Sequence, residues 1–209
     1  VPVSSDRKNI TLQGQPKQIY AKRSFSVPAD PSSAACPLVA ALLVPGSRVT
    51  VRNVCLNPLR IGILKSLQEM GAALSITNPR EIGGEPVGDI TASHSALSAI
   101  EIPASRAPSM IDEYPILAVA AACAKGRSIM RGLSELRVKE SDRLAAIIEG
   151  LRACGVEAHE EGDDLIINGT GKVRGGAKIT THYDHRIAMS FLVLGLMSEA
   201  PITADDVRA

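Results

Sequence analysis

Apolar residues recur along the chain with two spacings, one typical of helices and one typical of strands. One helical set lies at positions i, i+3, i+4 and i+7 and consists of Leu144, Ile147, Ile148 and Leu151. Residues 48–54, RVTVRNV, alternate polar with apolar side chains and predict a strand with one buried face. Gly71 and Gly155 stand where glycine commonly follows the last turn of a helix. The pattern therefore predicts a mixture of amphipathic helices and half-buried strands.

The same order of elements occurs more than once. Residues 36–54 resemble residues 114–133, since each combines an apolar helix, a glycine and a strand. Residues 64–76 resemble residues 147–160, with a helix that ends in Met-Gly or Cys-Gly before a strand. Residues 185–207 repeat the first helix and strand once more. A repeat of this length indicates a supersecondary unit, here helix, strand, helix, strand, strand, and hence an α/β fold with helices packed on sheets.

Composition excludes several classes of partner. The 209 residues are 45% hydrophobic and 22% charged, which suits one large folded domain or two modest ones. A net charge of +1 with interspersed signs predicts neither a nucleic-acid site nor an anionic-membrane surface. Aromatic residues make up only 2%, which argues against stacking of single-stranded bases. The longest apolar stretch, residues 187–197, is too short to span a bilayer.

The cysteines carry information about the compartment. They are far apart in sequence and show neither CxxC nor another metal-ligand spacing: Cys36, Cys55, Cys123 and Cys154. We therefore expect reduced, buried thiols in a cytoplasmic protein, and no bound metal.

Charged side chains collect where helices are predicted to begin. In residues 135–146, ELRVKESDRLAA, Lys139 and Arg143 are one helical turn apart, at a helix start whose partial charge disfavours cations. Arg186 has a comparable position in DHRIAM. An anion at these helix starts would explain the arginines, because free backbone N–H groups and guanidinium groups would bind it together.

Carboxylates accompany these arginines, and simpler interpretations of several of them stay open. Asp30 and Asp112 are good N-caps, and capping alone is the favoured interpretation for an isolated aspartate. Glu135 and Lys139 form an i,i+4 pair typical of a solvated helix face, and His185 fits an ordinary hydrogen-bonded histidine equally well. If the repeats pack with parallel helices, the helix starts meet on one face and form a site for carboxylate and phosphate, with acids nearby for proton transfer.

Four segments together resemble a known family. LRVKESDRLAA, DHRIAMSFLVLGL, RAPSMIDEYP and DPSSAACPLVAALLV are similar to the 5-enolpyruvylshikimate-3-phosphate synthases, most closely to their bacterial class II branch. The similarity runs in order over essentially the whole chain, and the first two segments are highly specific. It implies the enolpyruvyl transferase fold, an inside-out α/β barrel with two globes, each built from three βαβαββ units. Helix N-termini in that fold face the cleft between the globes.

The resemblance also implies a division of the chain. Residues 1–27 would be the tail of the first globe, ending near the hinge, and residues 28–209 would form most of the second. The units of the second globe would cover about residues 28–104, 105–176 and a truncated 177–209. The chain opens without methionine and stops with no closing element, so we interpret it as a piece of a longer protein.

The reaction implied is transfer of the enolpyruvyl group of phosphoenolpyruvate to the 5-hydroxyl of shikimate 3-phosphate, with release of phosphate. This step belongs to aromatic amino acid biosynthesis and is the target of the herbicide glyphosate. It needs protonation of the methylene carbon, removal of the hydroxyl proton and collapse of a tetrahedral intermediate. The resemblance implies neither a metal nor an organic cofactor.

Roles follow for the residues that match the family motifs. Arg143 and Arg186 would bind phosphoenolpyruvate, whose carboxylate and phosphate suit guanidinium forks, and His185 would support that region. The other three predicted residues would act on shikimate 3-phosphate or on protons. Asp112 would hold ring hydroxyls and accept a proton, and Lys139 would contact the attacking hydroxyl. Glu140 would be the general acid–base at the methylene carbon. These three complete the predicted site.

Some family motifs are missing, and two other functions stay open. The Lys-Ser and Ser-Ala-Gln motifs of the first globe and a lysine-bearing final segment are absent, so we predict that the chain alone is inactive. One alternative is the enolpyruvyl transferase that acts on UDP-N-acetylglucosamine, although its catalytic motifs lack the KESDR cluster. The other is a non-catalytic scaffold domain of the same fold, although a scaffold has no need of the acids and arginines together.

Overall fold

A computed structural model of the chain describes residues 9, 11 and 26–206. The predicted tail of the first globe, residues 1–27, lies outside the described residues apart from positions 9, 11, 26 and 27. Within the described part of the chain, no helix is both long and apolar enough to cross a membrane.

The first repeat follows the predicted order and forms one antiparallel sheet. Its elements are α1 (Pro31–Leu43), β1 (Arg48–Cys55), α2 (Gly62–Glu69), β2 (Ala73–Ile82) and β3 (Glu85–Ser93). The strands are arranged β1-β3-β2. Asp30 is the N-cap of α1, where its carboxylate accepts the Ser33 backbone N–H at 3.1 Å. The capping interpretation of Asp30 is therefore confirmed.

The second repeat has the same order and adds an edge strand. Its elements are β4 (Glu101–Ile102), α3 (Tyr114–Cys123), β5 (Lys125–Met130), α4 (Arg143–Ala153), β6 (Glu157–Glu161) and β7 (Asp164–Thr170). The sheet order is β4-β5-β7-β6, with β4 parallel to β5 and the other pairs antiparallel. Short 3₁₀ helices at Ile111–Glu113 and Ser134–Val138 lead towards α3 and α4.

The third repeat is represented by short strands around a single helix. Its elements are β9 (Lys178–Ile179), α5 (His185–Leu194), β10 (Ser198–Ala200) and β11 (Thr203–Ala204), and β8 (Val173–Gly175) directly precedes them, at the end of the predicted second unit. β10 pairs with β8 and β11 pairs with β9, both in parallel. The predicted α/β fold with repeated units is confirmed.

The first helices of the three repeats form the centre of the core. α3 is buried from Tyr114 to Ala122 and packs against α1, α5 and β7. The predicted stripe of α4 is buried as well: Leu144, Ile147, Ile148 and Leu151. α4 packs against α5 at Gly150, where a Cβ atom would overlap the Phe191 ring. The starts of the two helices are joined separately, since Arg143 at the start of α4 pairs at 2.8 Å with Asp184, the N-cap of α5.

The cysteines differ in part from expectation. All four are free, but only Cys154 is buried, and the other three are partly exposed. Burial raises the pKa of the Cys123 thiol to about 12. The expectation of buried thiols therefore holds for Cys154 alone; Cys55 and Cys123 are the last residues of β1 and α3, and Cys36 lies within α1.

The first sheet departs from simple alternation at two bulges. The register of β1 shifts between Val51 and Val54, where Asn53 has a φ of 59°. β2 has a matching shift at Asn78, with a φ of 51°. Asp89 on β3 accepts hydrogen bonds from Asn78 Nδ2 at 3.0 Å and from the Asn53 N–H at 2.9 Å. These hydrogen bonds lower the pKa of Asp89 to about 2.

We expect Asp89→Asn to destabilise the chain at neutral pH and to lose this effect in acid. Because the pKa falls from 3.8 to about 2 on folding, the ionised carboxylate stabilises the fold fully above pH 3.8. That stabilisation is lost as the pH falls through about 2. Urea unfolding at a series of pH values should show the gap between wild type and variant narrowing below pH 3.8. A gap that stays constant into acid would contradict this role of Asp89.

Candidate active site

Arg143 is the buried centre of a charge cluster at the start of α4. Asp142 caps the helix by accepting the Ala145 N–H at 3.0 Å, so Arg143 is the first residue of α4 and lies in its first turn. The Arg143 side chain is 0% exposed. It donates from Nε to Asp184 Oδ2 at 2.8 Å and from Nη1 to Asp112 Oδ1 at 2.9 Å. It also donates from Nη2 to Glu140 Oε2, which gives each nitrogen of the guanidinium group a carboxylate partner.

Asp184 is the deepest carboxylate of the cluster. It caps α5 by accepting the Arg186 N–H at 2.9 Å, and it also accepts from Ser141 Oγ at 3.0 Å. Burial alone would raise the pKa of Asp184, but the hydrogen bond and charge of Arg143 hold it below its ordinary value. Asp184 is therefore a carboxylate that compensates the buried charge of Arg143.

Lys139 reaches the cluster from outside α4. The 3₁₀ helix ends at Val138, and Lys139 has an extended backbone. The prediction that Lys139 and Arg143 share one helix is therefore wrong, because Asp142 caps α4 and the helix begins only after it. Lys139 Nζ lies 2.7 Å from Glu135 Oε1 and 3.7 Å from Asp112 Oδ1. The i,i+4 ion pair exists, and the same lysine also faces Asp112.

Asp112 is the acid that the cations share. It lies in the 3₁₀ turn Ile111–Glu113 and does not cap α3, so the capping interpretation is wrong here. Its carboxylate lies within 4 Å of three cationic groups, at distances of 2.9 Å from Arg143 Nη1, 3.7 Å from Lys139 Nζ and 3.9 Å from Arg186 Nη2. The turn directs the side chain towards the starts of α4 and α5 instead of back onto its own helix.

Arg186 is the cation of the cluster whose N–H groups make the fewest close contacts with described residues. Its side chain is 20% exposed, and its only described partners are the carboxylate and the carbonyl oxygen of Asp112, at 3.9 and 3.5 Å. Because Arg143 and Arg186 meet the same carboxylate, both guanidinium groups lie on one side of the molecule, as predicted. His185 precedes Arg186 and is partly buried. Its ring makes no hydrogen bond or ion pair to the residues that the structure describes.

The arrangement combines anion-binding groups with proton-transfer groups. Arg186 has N–H donors that no described residue accepts, whereas Glu140 has a half-exposed carboxylate held at Arg143. Five of the predicted residues therefore meet around one point: Asp112, Lys139, Glu140, Arg143 and Arg186. Sequence reasoning gave no role to Asp184, the aspartate that opens DHRIAM. The signal was available, since an arginine beside apolar helix positions needs a buried acid.

Among the described residues, no group of three or more histidine, cysteine or acidic side chains has the geometry to hold a metal ion.

Comparison with known proteins identifies similar sequences along the full chain. The family model described as EPSP synthase (3-phosphoshikimate 1-carboxyvinyltransferase) matches residues 1–209. A 3-phosphoshikimate 1-carboxyvinyltransferase of Phenylobacterium zucineum is 64% identical over 207 residues, covering 99% of this chain and 45% of that protein. The enzyme of the same name from Acidiphilium cryptum is 62% identical over 201 residues, covering 96% of this chain and 44% of that protein.

A solved structure, EPSP synthase from Acinetobacter baumannii, matches with a TM-score of 0.84 and 42% identity. The match covers 88% of this chain and 43% of that one. The chain thus spans less than half the length of the relatives that it matches.

Proposed function

The chain belongs to the EPSP synthase family, and on that premise we propose that the protein containing it is a 3-phosphoshikimate 1-carboxyvinyltransferase. It transfers the enolpyruvyl group of phosphoenolpyruvate to the 5-hydroxyl of shikimate 3-phosphate and releases phosphate, a step of aromatic amino acid biosynthesis. The observation that carries the proposal is the meeting of Arg143, Arg186 and Lys139 at Asp112, with Glu140 beside them.

Arg186 and Arg143 bind phosphoenolpyruvate in unequal ways. Arg186 binds the anion directly, because most of its N–H donors have no acceptor in the described part of the chain. Arg143 is already occupied by Asp112 and Glu140, so an anion gains access to it only by displacing one of these carboxylates. The displaced carboxylate is then left beside the substrate as a proton acceptor. His185 supports this region from the first turn of α5.

Proton transfers fall to the acids and to Lys139. Asp112 takes the proton of the 5-hydroxyl, which Lys139 contacts, as the hydroxyl oxygen bonds to C2 of phosphoenolpyruvate. Glu140 delivers a proton to the methylene carbon. In the second step phosphate leaves from C2 with the proton that Asp112 took from the hydroxyl, and Glu140 takes a proton back from the methyl group to restore the double bond. The reaction requires neither a metal nor an organic cofactor.

We propose that a first globe of the same protein supplies the remaining substrate-binding residues of the site. On this proposal residues 28–209 form most of the second globe, and residues 1–27 end the first. Two exposed apolar side chains support a covered face there, since Val138 directly precedes Lys139 and Tyr183 directly precedes Asp184. The free cysteines suit the reducing cytoplasm, where we place the protein.

Phosphate release by the full-length protein tests the function. With phosphoenolpyruvate and shikimate 3-phosphate together, we expect release that depends on both substrates. UDP-N-acetylglucosamine in place of shikimate 3-phosphate is the matched control and should give none. No release with the correct pair would overturn the function. The isolated 209-residue chain should also be inactive, and release by it would overturn the two-globe proposal.

A further inference from the structure

Glu113 is a buried acid beside the site that the proposed reaction does not use. Glu113 is only 2% exposed and directly follows Asp112 in the same 3₁₀ turn. Although Glu113 is the N-cap residue of α3, its carboxylate makes no cap hydrogen bond to that helix. It accepts a hydrogen bond from Ser32 Oγ, in the first turn of α1. The carboxylate therefore joins two repeats instead of capping its own helix.

Ser32 is itself held from the start of α2. Arg60 Nη2 donates to Ser32 Oγ at 3.3 Å and lies 3.2 Å from Asp30 Oδ1, the N-cap of α1. Because the Ser32 hydroxyl accepts from Arg60, its own proton is directed to Glu113. The connection runs from Arg60 through Ser32 to the turn that carries Asp112.

Arg60 occupies in the first repeat the place that Arg143 has in the second. Each arginine comes from the start of the second helix of its repeat, and each reaches an acid at the first helix of the same repeat. Each also reaches the first helix of the next repeat, Arg143 directly through Asp184 and Arg60 through Ser32. The difference is exposure, since the Arg60 side chain is 49% exposed and the Arg143 side chain is 0% exposed.

We infer that Glu113 is a positioning residue, which through Ser32 fixes the turn that holds the Asp112 carboxylate between the cations of the site. This inference rests on the proposed function. The turn has two attachments, because Arg186 and Arg143 contact Asp112 while Ser32 holds Glu113. Loss of the second attachment leaves Asp112 free to shift towards Arg143 and away from the substrate hydroxyl.

The charge of Glu113 also acts on anions in the site. Burial raises the pKa of Glu113, with a smaller contribution from Asp112, while the Ser32 hydrogen bond and two arginines oppose the rise. Ionisation at higher pH therefore adds a negative charge near Arg186 and weakens the binding of a dianion. The groups that face Glu113 from the surrounding elements are Ser32, Cys36, Arg60, Asp112 and Arg186.

Kinetics of the full-length protein with phosphoenolpyruvate and shikimate 3-phosphate test the inference. We expect Glu113→Ala and Ser32→Ala each to lower kcat about 10- to 100-fold, because small displacements of reacting groups cost about that much. The double variant should lose no more than the worse single variant. Glu113→Gln keeps an acceptor for Ser32 and should stay within about 3-fold of wild type. In wild type KM for phosphoenolpyruvate should rise with pH, and Glu113→Gln should lack this rise.

Ser33→Ala is the matched control. Ser33 neighbours Ser32, but its hydroxyl faces Asp30 on the exposed side, so this variant should match wild type. Circular dichroism of each variant, with kcat expressed per folded protein, separates lost positioning from lost folding. An active wild type with unchanged kcat in Glu113→Ala and Ser32→Ala would overturn the inference alone. A full-length wild type that is inactive with both substrates would overturn the proposed function and this inference with it.

Discussion

Replacing Arg143 with alanine is expected to lower the free energy of unfolding by about 3–5 kcal/mol, because a buried carboxylate loses its counter-ion. Asp184 has no exposed surface and would keep only the hydrogen bonds from Ser141 and the Arg186 N–H. Urea unfolding of the chain, followed by circular dichroism, measures this loss as a shift of the midpoint at an unchanged slope.

Arg186→Ala is the control for this prediction. Arg186 also lies in the first turn of a helix, and its replacement removes the same kind of side chain. However, Arg186 contacts Asp112 only at 3.5 and 3.9 Å and is partly exposed. We expect it to cost less than about 1 kcal/mol, as is usual for accessible ion pairs. Equal losses in the two variants would contradict the view that Arg143 is held by buried carboxylates.

Glu140→Gln in the full-length protein is expected to lower kcat by about 10²–10⁴-fold, the usual cost of losing a general acid–base. The amide oxygen still accepts a hydrogen bond from Arg143 Nη2, so the arrangement around Arg143 persists while proton delivery to the methylene carbon is lost. Steady-state phosphate release with both substrates measures the effect.

Glu135→Gln provides the matched comparison. Glu135 is also an acid near the site, but it is exposed, and its contact is the ion pair with Lys139 at 2.7 Å. We expect kcat to change by no more than a few-fold, because exposed pairs contribute about 0–1 kcal/mol. If Glu135→Gln lost more activity than Glu140→Gln, the assignment of Glu140 as the proton donor would be wrong.

Local signals account for the part of the fold that sequence predicted well. The stripe from Leu144 to Leu151, the cap at Asp30 and the repeated order of elements all depend on residues close in the chain. The meeting of Arg143 and Arg186 followed from the repeats, since equivalent helices in packed units begin on the same side. The start of α4 was predicted too early in the chain, at Lys139, because the capping of the helix by Asp142 was not foreseen.

The parts that sequence did not predict depend on partners far apart in the chain. Arg143 and Asp184 are separated by 41 positions, and Ser32 and Glu113 by 81. Nothing local distinguishes Asp112, which turns into the site, from Glu113, which turns away from it. The direction of each side chain is set by contacts with the neighbouring repeat. The roles of these residues were therefore predicted from the resemblance to a family and not from local sequence.

The internal neutralisation of Arg143 has a consequence for how a substrate first arrives. Since acids already surround that guanidinium group, its field is largely cancelled beyond the cluster, and a dianion diffusing nearby is attracted mainly by Arg186. On the proposed function, capture is then a two-stage event, in which the partly exposed Arg186 sets the encounter rate and its salt dependence. Exchange of partners at the buried arginine sets the residence time.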